Sequence, residues 1–491
     1  MKSTMTSRLR TMAASSLLLI AGFAAPLLAQ GDLTPPPVGS LPLGDVAFDA
    51  FGDPTPNMKS LTQTDPGQPL PSNDADLPDL NGALGTFTIT VPGHYYLTEN
   101  LVDKPILVLS PNVTIDLRGY TMINTLGPVG PAISVGPGPM GAVERVHVRN
   151  GFITGPWSSG VTLGDYCSGR DMNVDRAMTF AIEVGAQSTV HNCIVRGNDL
   201  EGGGPMPHAG IAAGFGAVVS NSTAREIWGD GIRVDRSSRV LDCTATCNLG
   251  TRIVGTESLS ISGCTSFMNL GNGYQTGPAA SMENCSAHEN FAAGFLNRTG
   301  SVLSNCTSRQ NHIEGYVAMP DVPSDITDYD EVPMLSDDAT SYLHCSATMN
   351  ASDGFLTTIN STYTHCTAVS NGTMLFEATP PYSPSPGDGF DVVDSCRLVN
   401  CMASKNGAHG IRAVLDNYIE QNTCHTNALA GIDLAGFGNT VIKNYVKFNV
   451  GAPIVVAGGA LLAPGPGGGG VAPLALPSGP GPWNPFSNFF M

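Results

Sequence analysis

The segment G-D-G-I-R-V-D-R (229–236) sets Asp230, Arg233, Asp235 and Arg236 within one short stretch. Alternation along an extended strand puts Arg233 and Asp235 on one face. Glu201 and His208 lie just upstream, in N-D-L-E-G-G-G-P-M-P-H. Two chemistries suit this set. β-Elimination on a uronate needs its carboxylate neutralised, by Ca²⁺ or arginine, and a base for the adjacent proton; Arg233 or Arg236 fits the clamp or the base. Glycoside hydrolysis needs two carboxyl groups at a set separation, and Asp230 with Asp235 or Glu201 fits that. The competing reading is a surface ion-pair network. An earlier group, Asp165, Arg170, Asp171, Asp175 and Arg176, allows the same two readings.

A second acidic run is denser. Between 319 and 339 stand Asp321, Asp325, Asp328, Asp330, Glu331, Asp337 and Asp338. Carboxylates are hard oxygen ligands, and Asp325, Asp328, Asp330 and Glu331 are the candidate ligands for Ca²⁺. Their spacing is not that of an EF-hand loop, and a solvated acidic loop is the alternative. His344 and His365 each precede a cysteine, but consecutive strand residues point to opposite sides, which argues against a shared His–Cys metal site.

The elements that position these residues follow from a repeat. Cys243, Cys264, Cys285 and Cys306 recur every 21 residues, then Cys345 and Cys366 do so after an insertion. An asparagine stands five residues after each: Asn248, Asn269, Asn290, Asn311, Asn350 and Asn371. Short alternating segments inside each unit mean strands with one buried face. Such units bury little alone and must stack. Like residues then form ladders about 4.8 Å apart. Cysteine packs inward as a small hydrophobe, and asparagine satisfies turn amides. The frame continues with Ser222 or Asn422 in the cysteine position, so that position demands a small inward residue rather than a thiol. A glycine at a fixed place (Gly231, Gly273, Gly294, Gly315, Gly354) marks a tight turn or close approach. The reading is an all-β solenoid, a single-stranded parallel β-helix over 84–457, of roughly 15 coils and roughly 70 Å. Three insertions, 199–210, 319–339 and 375–390, are expected to emerge near one edge, where solenoids build binding sites.

The ends differ from the repeat. Lys2, Arg8 and Arg10 precede an apolar stretch, S-S-L-L-L-I-A-G-F-A-A-P-L-L-A, which reads as a signal peptide (1–29) and an exported protein: secreted, periplasmic or on the cell surface. Residues 30–83 are rich in Pro and Asp, and 458–491 in Gly and Pro. The final S-N-F-F-M has three readings, a cap on the last coil, a recognition tag, or no role, of which the cap is favoured. The chain carries 41 acidic against 23 basic residues, a formal charge of -18. A phosphate backbone would be repelled, which argues against nucleic acid as a partner. No second long apolar run follows, so an integral membrane protein is not expected.

The stretches N-V-T-I-D-L-R-G-Y (112–120), V-R-N-G-F-I-T-G (148–155), G-D-G-I-R-V (229–234) and the N-C-T/S-A/S-x-x-N coils resemble the right-handed parallel β-helix superfamily of pectate-lyase-like and NosD-like repeat proteins. The resemblance implies the right-handed coil. It admits polysaccharide lyases, hydrolases, epimerases, metal-maturation proteins, phage spikes and adhesins. The expectation is an enzyme acting on an extracellular polysaccharide, an acidic one foremost, by elimination or hydrolysis. The alternative is a non-catalytic cell-surface binding or structural protein.

Overall fold

The computed structural model describes residues 67–70, 85–127, 130–137, 143–198, 209–250, 253–319, 339–373 and 386–456, with the backbone of 461–462 and 489–490. The stretch read as a signal peptide, the acidic run 320–338 and most of the Gly/Pro-rich tail lie outside them.

Among the described residues the strands stack as a right-handed parallel β-helix, each pairing with its counterpart one coil away. Ser260–Ser262 joins Arg239–Leu241 on one side and Ser281–Glu283 on the other. Thr265–Phe267 joins Thr244–Thr246 and Ser286–His288. A third ribbon stacks Asp230–Val234, Ile253–Gly255, Tyr274–Thr276 and Phe295–Arg298. It holds 16 strands, one per coil. Both ends are covered by strands from flanking sequence. Gln68–Leu70 pairs with Tyr95–Leu97. Phe489–Phe490 pairs with Tyr445–Val446, so the terminal apolar residues add a strand beyond the last coil.

The motif N-C-T-A-x-x-N has a backbone cause. The residue before each ladder cysteine takes a left-handed conformation: φ is 52° at Asn192, 54° at Asn284, 52° at Asn305 and 53° at His344. A second left-handed residue precedes each ladder asparagine, as at Met268 (52°), Glu289 (51°) and Gln310 (54°). One such residue turns the chain between three-residue strands; after glycine, asparagine is among the residues that tolerate it best, which accounts for the N in N-C and for Gly263 before Cys264.

The ladders close the corners. Asn290 donates its backbone N–H (3.0 Å) and its Nδ2 (2.9 Å) to Asn311 Oδ1. The pattern continues from Asn311 to Asn350, Asn371, Asn406 and Asn427. The cysteine position is similar and sharper than expected. The N–H of Cys243 donates to Cys264 Sγ at 3.4 Å, that of Cys193 to Ser222 Oγ at 3.2 Å, and that of Cys401 to Asn422 Oδ1 at 2.8 Å. The site therefore takes a small inward side chain that also accepts a hydrogen bond. No disulfide forms among the described cysteines, and eleven of the twelve are buried. Burial pushes the Cys193 thiol up to about 12, which keeps it unreactive.

Rings fill the third ribbon. Tyr274, Phe295, Tyr316, Phe355 and Phe390 stack at 4.7, 4.8, 4.6 and 4.8 Å. The buried hydroxyls of Tyr274 and Tyr316 donate to the carbonyls of Cys264 and Cys306, each at 2.6 Å. The coil glycines precede these rings because backbones meet there. A Cβ on Gly315 would lie 2.5 Å from the Gly354 carbonyl, and one on Gly354 would lie 2.6 Å from that of Gly389.

The insertions do not all leave one edge. The chain departs at Asn198 and Thr373 from the same turn, between the asparagine ladder and the third ribbon. The 320–338 segment instead leaves from the far end of a third-ribbon strand, Tyr316–Met319. The asparagine frame marks where a coil lengthens but not on which side of the next strand.

Candidate functional site

Asp230 opens its strand and Arg233 lies three residues on, half-buried. The Arg233 guanidinium grips one oxygen, Asp230 Oδ2, through Nε at 2.9 Å and through a second nitrogen. Asp235 lies one residue past the strand and accepts from Thr256 Oγ1 at 2.9 Å and from the Arg236 N–H at 2.7 Å. Its bonds thus run to the turn, away from the Asp230–Arg233 pair. Glu201 and His208 fall outside the described residues, as do Asp325, Asp328, Asp330 and Glu331. Among the described residues no group of three or more His, Cys, Asp or Glu is disposed to hold a metal ion. The Asp171 carboxyl is lowered by the Asn192 amide (2.7 Å), and Arg170 pairs with it at 3.1 Å. His344 and His365 stack on the surface at 4.9 Å.

A denser constellation stands elsewhere. Four successive coils place a titratable side chain immediately before the coil glycine: Glu314, Asp353, Asp388 and His409, ahead of Gly315, Gly354, Gly389 and Gly410. The close approach of those glycines forces the column into register. Asp353 Oδ1 accepts the Asp388 N–H at 2.6 Å. Asp388 Oδ1 accepts the His409 N–H at 2.7 Å and faces His409 Nδ1 at 2.9 Å. A second outward column runs beside it, in the order Asp391, Arg412, Asp433. Arg412 pairs with Asp391 at 3.2 Å, and His409 Nε2 lies 3.9 Å from Asp433.

Burial gives these groups unusual protonation. Asp353 is raised to about 7, first by desolvation and then by the charges of Asp388, Asp391 and Glu314. Desolvation also raises Glu314 and Asp391, the latter against the pull of Arg412. The Asp388 hydrogen bond raises His409, favouring imidazolium between two carboxylates. One Asp391 oxygen, Oδ1, is buried with no hydrogen-bond partner. A carboxyl that keeps its proton near neutrality, beside a carboxylate held by a cationic imidazole, sets a proton donor and an acceptor on neighbouring coils.

Sequence reading missed this column because the insertions hide its period. Glu314 to Asp353 is 39 residues and Asp353 to Asp388 is 35, against 21 from Asp388 to His409. The signal was present as E-G-Y, D-G-F, D-G-F and H-G-I (314–316, 353–355, 388–390, 409–411). It is the same coil position as D-G-I at Asp230, with Glu314 four coils and His409 seven coils away along the third ribbon.

The family described as "Right handed beta helix region" matches residues 181–319. Among solved structures, the periplasmic alginate epimerase AlgG is 10% identical over 78% of this chain and 78% of its own, with a TM-score of 0.37. The A-module of the Azotobacter vinelandii mannuronan C-5 epimerase AlgE6 is 12% identical over 76% and 91%, at 0.33. The Streptococcus pneumoniae surface adhesin PfbA is 9% identical over 73% and 84%, at 0.26. No curated protein sequence matches. Stacked parallel coils, together with the family match over residues 181–319, give this chain the right-handed parallel β-helix fold.

Proposed function

We propose that the protein is a carbohydrate-active β-helix enzyme that hydrolyses glycosidic bonds at the Asp353–Asp388–His409 column. The observation that carries this reading is the Asp353 carboxyl, raised to about 7 and bonded to the backbone of Asp388 one coil on. In the reaction Asp353 gives its proton to the leaving oxygen as the anomeric C–O bond breaks. Asp388, one coil away, bonds to the anomeric carbon as that bond breaks; water, giving its proton to Asp353, then displaces Asp388 and completes hydrolysis. His409 holds the Asp388 carboxylate in place at 2.9 Å.

Charge chooses between hydrolysis and elimination. A uronate substrate would bring its carboxylate against the Asp388 and Asp433 carboxylates, with Arg412 already engaged by Asp391. A neutral glycan meets no such repulsion. Export to the periplasm, cell surface or medium belongs to the same reading, since polymeric glycans lie there. It is supported by the apolar N-terminal stretch. No helix among the described residues is long and apolar enough to cross a membrane.

The test is product analysis on neutral and acidic polysaccharides. New reducing ends without unsaturated uronate are expected, and they should be lost in Asp353→Asn. Unsaturated products, or reducing ends undiminished in that variant, would refute hydrolysis at this column.

A further inference from the structure

A column of exposed apolar and aromatic side chains leads along the coils to the acidic column. Trp228, Leu249, Leu270, Phe291 and His312 each follow, by one residue, the inward position of the asparagine ladder. Backbone bonds fix their register: Leu249 to Ile227 (2.8 Å), Leu270 to Asn248 (3.3 Å), Phe291 to Asn269 (2.7 Å) and His312 to Asn290 (2.8 Å). The first four keep 50%, 42%, 51% and 50% of their surface exposed. Phe291 and His312 stack at 4.3 Å. The column then changes character. Its next members are Ala351, Gly372, Gly407 and Ala428, in the same register. The two columns overlap by one coil: His312 shares a coil with Glu314, and bulk stops at Ala351, which shares one with Asp353.

The far end of the column is a cleft of about 400 Å³, with Trp228 beside Asp175, Arg176, Arg196, Glu226 and Cys247. Its charges are paired, Arg196 with Glu226 at 2.9 Å and Arg176 with Asp175 at 3.7 Å.

We propose that the Trp228–His312 column is a docking track for a linear neutral glycan lying parallel to the coil axis and entering the acidic column at Glu314. The proposal rests on the hydrolase reading for its destination, and on the column itself for binding. The ridge is one residue wide and repeats once per coil, about 4.8 Å apart. That suits a polymer of like units better than the broad apolar patch a protein partner buries. Rings and aliphatic side chains offer flat surfaces to the C–H faces of sugars. Asn272 and Gln275, and the Arg196–Glu226 pair, stand alongside with donors and acceptors for hydroxyls. The ridge ends where Ala351 is buried and Gly372 packs against the Gly387 backbone, in the coils of Asp353 and the next.

The test uses the full chain carrying Asp353→Asn, so that bound polymer is not consumed. Its migration is followed through native gels containing β-linked glucan, xylan or mannan, with polygalacturonate as the acidic comparison. Retardation by at least one neutral polymer is expected. Adding Trp228→Ala or Phe291→Ala should weaken it by about tenfold, the equivalent of about 1.4 kcal/mol. Retardation by none of the neutral polymers, or equal retardation of the track variants, overturns the track. So does a concentration-dependent dimer abolished by the same substitutions, which would make the ridge a self-interface. Binding without bond cleavage by the unsubstituted chain would sink the hydrolase reading alone. Cleavage of long chains unaffected by the track substitutions would sink the track alone.

Discussion

Asp388 Oδ1 receives two contacts from a single residue, the backbone N–H of His409 at 2.7 Å and its Nδ1 at 2.9 Å. The stacking of coils supplies the first and side-chain chemistry the second. The fold therefore aims the carboxylate before any substrate arrives, and the imidazole compensates a charge that burial would otherwise oppose.

Replacing the proton donor should expose its role. Asp353→Asn keeps an oxygen for the Asp388 N–H while removing the proton. Turnover should fall by roughly 10²–10⁴-fold, with the coil structure intact by circular dichroism. His409→Ala should lower turnover as well and leave the Asp388 side chain with only its backbone partner.

Protonation sets the pH response. As pH rises through about 7, Asp353 loses its proton and the rate should fall. Stability follows the same sign. The folded state holds this proton more tightly than an unfolded chain, whose aspartate titrates near 3.8. The contribution is complete below about pH 4 and is lost as pH rises through about 7. His409, raised by Asp388, adds a contribution that is also lost on the alkaline side. Urea melts between pH 4 and 8 should show this decline, and Asp353→Asn should flatten it.

The asparagine ladder carries a stability prediction. Asn311→Ala leaves the Asn290 N–H and Nδ2 without their shared acceptor inside a buried corner. A loss on the order of 2–4 kcal/mol is expected by denaturant unfolding.

The cysteine ladder carries a more discriminating one. Cys264→Ser retains an acceptor for the Cys243 N–H and imitates natural Ser222, so it should cost within about 1 kcal/mol. Cys264→Val is more apolar but accepts nothing, and should cost on the order of 1–3 kcal/mol. Equal losses would mean that size alone governs the position.

These ladders show what a single sequence could convey. Cys243 to Cys366 and Asn248 to Asn371 announce the coil because each repeats a local requirement at fixed spacing. The candidate site repeats too, but in one position whose chemistry varies: Glu314, Asp353, Asp388 and His409 share a place and not a residue type. Insertions after Met319 and Thr373 then break the count in the very coils that matter. Asp230, Arg233 and Asp235 drew attention because they are adjacent in sequence. The fold pairs the first two with each other, turns the third to Thr256, and gathers its buried carboxyl groups four to six coils away. Burial, which raises Asp353, depends on neighbours 35 and more residues distant and leaves no local mark.

The central claim meets its most direct test in reducing-end release from neutral polysaccharides by four proteins: the unsubstituted chain, Asp353→Asn, Asp388→Asn and Asp230→Asn. The account predicts release by the first, retained in Asp230→Asn and reduced by at least about a hundredfold in the other two. Release that survives in Asp353→Asn and Asp388→Asn, or that disappears with Asp230→Asn alone, would contradict it.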